Sequence, residues 1–196
     1  RGPAARAAWV PVEADYVFDT VDGPKGLAEL FDGRSQLVVY HFMHGPDTPD
    51  GCPGCTFHSD QMERAAAYLN QRDVTFLFAS RSPLPVLQAY KDRFDWTIPW
   101  VSSGDTTFDD DFSFVAESEG YNFGTVTDAE ALDRLRSMEL MALSCFVLDG
   151  GTVYHTYTTM DRGTDALNPT WQLLDRAPLG RRDELGGLRK RDEVPA

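Results

Sequence analysis

Two cysteines separated by two residues, Cys52-Pro53-Gly54-Cys55, are the part of this sequence whose residue types and spacing can do chemistry. A C-x-x-C pair opening a helix lets its sulfurs approach disulfide distance, and the positive end of the helix favours the thiolate of the first cysteine. Cys52 is then the attacking thiolate on a substrate disulfide, and Cys55, one turn further in, the resolving thiol. Pro53 suits a first-turn position, and Gly54 leaves the backbone unobstructed. Nearby carboxylates at Asp47, Asp50 and Asp60 work against the thiolate. Arg81, closing an apolar run, is the cation expected beside the sulfurs.

Other groups offer alternatives. His41, His44 and His58 lie close in sequence to the cysteine pair, and all of these side chains bind zinc or copper. A metal site would draw on His44, Cys52, Cys55 and His58. Without a second C-x-x-C, the reading favoured is no metal and no other cofactor. A passive disulfide is the bland alternative. A thiol peroxidase needs Thr three residues before its cysteine; Pro49 stands there and Thr48 is one position off. Cys145, in Leu143-Ser144-Cys145-Phe146, is either a third redox thiol or a small buried hydrophobe, the commoner fate of a free cysteine; Ser144 is carried with it as a supporting residue. The run Asp109-Asp110-Asp111 lacks the ligand spacing and glycine of a calcium loop and reads as solvated. Trp96 and Trp100 read as packing residues.

These groups need elements to hold them. Asp15 to Thr20 reads as a short strand before an Asp22-Gly23 turn, and Leu37 to Met43 as a strand buried on both faces. After a Gly/Pro/Asp loop, Cys55, Met62, Ala66 and Leu69 share one face of a helix. Val74 to Ala79 is the next strand. Ser82 and Pro83 open a helix with a Leu84, Leu87, Tyr90, Phe94 stripe, and Ile98 to Val101 is a short strand. Residues 102–126 read as a long structured loop, followed by a helix from Thr127 to about Met141. Cys145 to Asp149 and Thr152 to Thr158 flank Gly150-Gly151 as a β-hairpin, and a last helix runs from about Asp165 to Asp175.

Strands alternating with helices imply an α/β fold with a parallel core, a central mixed sheet flanked by helices, and a C-terminal β-hairpin and helix. That order is the thioredoxin-like arrangement, with the dithiol at the carboxyl end of a central strand. In it, the strand after the last loop begins beside the dithiol, where a cis-proline usually stands; here there is none. The expected organisation is a loose segment 1–14, the domain 15–176 and a polar tail 177–196.

The chain has 196 residues, 42% hydrophobic and 25% charged, enough for one domain with a sizeable core. A formal charge of −13 disfavours nucleic acid and anionic membranes as partners. No apolar run approaches the roughly 20 residues of a membrane helix. The cluster Arg189, Lys190, Arg191 is followed by Asp192 and Glu193 and reads as a solvated tail. Arg1 to Val10 lacks the apolar stretch of a leader, and the start without Met reads as a processed or trimmed piece. Three cysteines do not make a disulfide-stapled scaffold, which favours the cytoplasm.

The stretches DGRSQLVVYHFMHGP, GCPGCTFHSD, RDVTFLFASRSPL, AYKDRFDWTIPWVSS and HTYTTMDRG resemble a bacterial family of thioredoxin-like proteins known as domain of unknown function 899, described as dithiol-disulfide oxidoreductases. The likeness runs from about Trp9 to Asp183. It implies a thioredoxin-like fold, with Cys52 and Cys55 matching the family's cysteine pair. It also implies a protein or small-molecule disulfide or dithiol as partner. Family members usually carry a helical extension before the point where this chain begins, and an aromatic residue where His58 stands. The loop Asp105 to Phe114 follows the family pattern only loosely.

Overall fold

The computed structural model describes residues 9–46, 48–104, 106–112, 139–182, 184 and 186–194. The expected helix from Thr127 lies, as far as residue 138, outside the described residues.

Strand β4 (Gln36–His41) pairs in parallel with β5 (Val74–Ser80), which pairs in parallel with β6 (Trp100–Ser102). On the other side of β4 runs antiparallel β7 (Ala142–Asp149), joined through Gly150-Gly151 to β8 (Thr152–Met160). The hairpin β2 (Val17–Thr20) and β3 (Gly23–Gly26) closes one edge, and β1 (Val10–Pro11) the other. Among the described residues the result is an eight-stranded mixed sheet of order β1-β8-β7-β4-β5-β6-β2-β3. The thioredoxin-like α/β arrangement expected from the sequence is present.

Alternation along the central strands sorts the core into two layers, because successive side chains leave a strand on opposite faces. Tyr40, Phe76, Phe78, Trp100 and Leu143 lie on one face with Cys55 and Met62 of helix α1 (Pro53–Met62) and Leu87 and Tyr90 of α3 (Leu84–Arg93). Leu37, Val39, Leu77, Ala79, Val101 and Phe146 lie on the other, with the 3-10 turn Glu29–Phe31 and the short helix α4 (Phe108–Phe112). Both faces being covered explains why β4 and β5 read as continuous apolar runs.

Several local expectations are corrected. The helix opening at the dithiol ends at Met62, and a second one, α2 (Ala65–Asn70), carries Ala66 and Leu69 against the same core. Part of the expected long loop folds as α4. The acidic run is solvated in part only: Asp110 and Asp111 are exposed, the first pairing with Arg81 and the second accepting from the Tyr16 hydroxyl at 2.6 Å, but Asp109 is buried. The last helix, α5 (Pro169–Leu174), starts later than expected because Asn168 caps it, accepting from the amides of Thr170 and Trp171. No helix among the described residues is long and apolar enough to cross a membrane.

Candidate active site

The loop between β4 and α1 is anchored before it reaches the first cysteine. The Phe42 amide donates to Ala79 O at 3.0 Å, the Ser82 amide to His44 O at 2.9 Å and the Cys52 amide to Met43 O at 3.1 Å. Thr48 donates to Glu139 at 2.7 Å, tying the loop to the segment before β7. At Gly51 the backbone adopts φ 68°, and the Tyr90 ring lies so close that a Cβ would come within 2.7 Å of it. Only glycine meets both conditions.

Cys52 is the N-cap of α1, extended at φ −72° and ψ 126°, with Pro53 in the first turn. Its sulfur accepts from the Cys55 amide at 3.4 Å. Its carbonyl accepts from the Thr56 amide at 3.0 Å and hydroxyl at 2.9 Å. The Thr56 and Tyr90 hydroxyls lie 2.8 Å apart, so α3 holds the first turn of α1. All three cysteines are free thiols; Cys52 is half-buried and Cys55 fully buried.

The two thiols of the pair are driven apart in acidity. A hydrogen bond from the Cys55 thiol, the amides of Cys55 and Gly54, and the Lys190 charge outweigh burial and lower Cys52 to about 6. Burial pushes Cys55 well above the ordinary thiol range, and the hydrogen bond to Cys52 and its charge add to this. The Met43 amide and the Tyr40 hydroxyl pull in the opposite direction and are the groups placed to stabilise a Cys55 thiolate. One sulfur is therefore a thiolate near neutral pH, and the other holds its proton in reserve.

Arg81 does not supply the cation that reaches this pair. Its guanidinium is bound to Asp110 and its charge acts on Asp109. The cation acting on Cys52 is Lys190, 5% exposed, whose ammonium donates to Asp50 O and sits 5.5 Å from the centre of the Tyr90 ring. The reading of Arg189 to Arg191 as a solvated tail is thus corrected for Lys190. No periodicity or motif marks it, and Asp50 stands 140 positions away.

The histidines take separate places. His44 is buried with Nδ1 2.9 Å from Ser82 Oγ and its ring edge-on to Tyr90. Ser82 is thereby engaged, and Pro83 is the N-cap of α3, with no side-chain cap hydrogen bond. Burial, with Lys190 adding, lowers His44 below the ordinary imidazole value; burial does the same to His58, which lies beside the Tyr40 ring. Among the described residues no three His, Cys, Asp or Glu side chains converge as a metal site, so His44, Cys52, Cys55 and His58 are not assembled into one.

Cys145 lies in mid-strand opposite Val38, at an irregularity in β7 rather than at the strand's start. It packs at the margin of the dithiol-side core, where burial raises its thiol pKa. Ser144 faces the other way. There His41 Nδ1 lies 2.8 Å from Asp109, and its Nε2 lies 2.9 Å from Ser144 Oγ. Ser103 donates to Asp109, and Ser144 continues through Thr158 to His155. Burial would raise Asp109, but the His41 and Ser103 hydrogen bonds and the His41 and Arg81 charges leave it below its ordinary value. This network was not legible in the sequence, because its members are spread from His41 to Thr158 in no motif.

The sequence model of a bacterial family described as protein of unknown function (DUF899) matches residues 4–194, and the chain belongs to that family. No curated protein matches it in sequence. The fold is similar to that of peroxiredoxin Q from Xanthomonas campestris, at 13% identity and a TM-score of 0.53 over 88% of this chain and 96% of that one. Peroxidoxin BcpB from Mycobacterium tuberculosis is similar at 17% identity and a TM-score of 0.50, over 85% and 96% of the respective chains. At such identities the likeness establishes a shared fold and leaves activity to the residues of the site.

Proposed function

We propose that the chain is a thiol-disulfide oxidoreductase in which Cys52 attacks and Cys55 resolves. The observation that carries this reading is the asymmetry of the pair: a half-buried Cys52 with its thiol lowered to about 6, next to a fully buried Cys55 raised well above the ordinary range. The Cys52 thiolate attacks one sulfur of a substrate disulfide, forming a mixed disulfide and expelling the other sulfur as a thiolate. Once Cys52 is bonded, the negative charge holding the proton on Cys55 is gone. Cys55 gives its proton to the expelled substrate thiolate, the Met43 amide and Tyr40 hydroxyl favour the resulting thiolate, and it attacks the Cys52 sulfur, breaking the mixed disulfide and releasing the second substrate sulfur as a thiolate. Two electrons pass to the substrate, the pair closes as a disulfide, and an external dithiol restores it.

The substrate class is a protein or small-molecule disulfide. A trapping experiment tests the assignment of roles. Incubated with a disulfide such as oxidised glutathione or insulin, Cys55→Ser accumulates a mixed disulfide at Cys52, identified by peptide mass. Under the same conditions Cys52→Ser accumulates none. Trapping at Cys145, or equal trapping in both variants, would overturn the assignment.

A further inference from the structure

The C-terminal segment is held against the dithiol face by more than one contact. The Arg191 guanidinium donates to Phe94 O at 2.8 Å and to Asp60 at 3.3 Å, and Arg93 donates to Asp192 at 2.5 Å. Immediately before these anchors Lys190 turns inward. Its ammonium caps the Asp50 carbonyl, two residues before the attacking cysteine, and lies over the Tyr90 ring that covers Gly51 and meets Thr56. A lysine is ordinarily exposed because burying its charge is costly unless matched. Here a carbonyl and an aromatic face receive it, beside a sulfur that gains from a nearby cation.

We infer that Lys190 is a positioning residue for the redox centre: the C-terminal segment delivers its ammonium to the Asp50–Gly51 approach, where it stabilises the Cys52 thiolate and fixes the loop that presents it. This deepens the oxidoreductase reading and rests on it for its purpose. The groups interacting with Cys52 are Cys55 and the first amides of α1, Tyr90 of α3 and Lys190, and Lys190 in turn acts on Asp50 and His44 of the loop. Among these, Lys190 is the fixed positive charge. Burial lowers the His44 pKa, and the same ammonium adds to that lowering.

The test compares the reduced 196-residue chain with its Lys190→Met, Lys190→Gln and Lys190→Arg variants. The rate of Cys52 carbamidomethylation by limiting iodoacetamide is followed from pH 5 to 9, with Cys55 and Cys145 distinguished by peptide mass. Met and Gln shift the midpoint upward and slow alkylation at pH 6 by about threefold, as loss of one nearby cation should; Arg keeps the midpoint near that of the parent. An unchanged midpoint in a neutral variant whose thermal unfolding matches the parent would overturn the inference, as would an equal upward shift in all three. If Met does not fold, Gln, which can still donate to Asp50 O, gives the neutral comparison. Alkylation needs no disulfide exchange, so Lys190 can fail here while the oxidoreductase reading stands, and the trapping experiment can fail while this one succeeds.

Discussion

Tyr40 and His41 are neighbours on one strand, yet they serve two polar clusters of opposite character. On the Tyr40 side, a cysteine pair is arranged so that one sulfur stays half-exposed and ionised. On the His41 side, Asp109, His41, Ser103, Ser144 and Thr158 satisfy one another inside the core. The difference is in what each leaves available. The dithiol face presents a reactive atom toward solvent. The His41 cluster resembles a nucleophile–base–acid chain in composition, but Ser144 is 0% exposed and also bonded to Phe112 O and Thr158, so no substrate reaches it. A chain of suitable residues is a site only where an approach exists, and the cluster behind the sheet is structural.

That contrast can be broken from either side. The largest expected effect is on activity: Cys52→Ser abolishes disulfide reduction, measured as insulin turnover with an external dithiol, and at about pH 5, where the thiolate contributes little to stability, changes the urea midpoint little. On the other face Asp109→Ala leaves His41 and Ser103 without their acceptor. It lowers unfolding free energy by about 3–5 kcal/mol, as breaking a buried charged contact does, while the Cys52 alkylation midpoint stays in place. A destabilised but folded Asp109 variant with an altered midpoint would show that the faces are coupled rather than separate.

Smaller effects sharpen the picture of the loop. Gly51→Ala must hold a side chain at φ 68° against the Tyr90 ring, and we expect about 1–3 kcal/mol of destabilisation in urea melts. It should also lower Cys52 reactivity, because Cys52 is the next residue. Stability should fall with acid in a defined direction. His44 and His58 have lowered values in the fold, so as pH drops below about 6.5 the unfolded chain takes up protons that the folded chain does not, and the folded state loses ground. Reduced Cys52 acts the same way over a higher window. Its depressed value of about 6 adds stability that is fully present above the ordinary thiol range and lost as pH falls through that value. Cys52→Ser should flatten that part of the profile and leave the histidine part intact. The smallest change is Tyr90→Phe, which removes the hydroxyl paired with Thr56 and costs about 1 kcal/mol in the same melts.

The dithiol and its strand were legible in the sequence because both signals are local. Cys52 and Cys55 are one motif, and β4 and β5 are apolar almost throughout, as two covered faces demand. Strand β3, with the sequence Gly-Pro-Lys-Gly, was not legible. Its extended form is imposed by pairing with β2 across the Val21–Asp22 turn, one residue earlier than the Asp22–Gly23 turn expected, rather than by propensity. The acidic run at Asp109 was misread because a carboxylate's burial depends on partners that arrive from His41 and Ser103 through tertiary structure. Arg81 was the reasonable cation from strand-end geometry, but Asp110 occupies it. Lys190 comes from a segment with no periodic pattern, held by Asp60, Phe94 and Arg93.

The central claim is that Cys52 and Cys55 form a reversible redox pair. A titration of the purified protein across glutathione redox buffers, followed by alkylation and intact mass, tests it most directly. The account predicts one two-electron transition confined to Cys52 and Cys55, with a potential between roughly −120 and −270 mV, the span of catalytic pairs. A pair that never closes, or one that stays closed below about −300 mV as structural disulfides do, would contradict it.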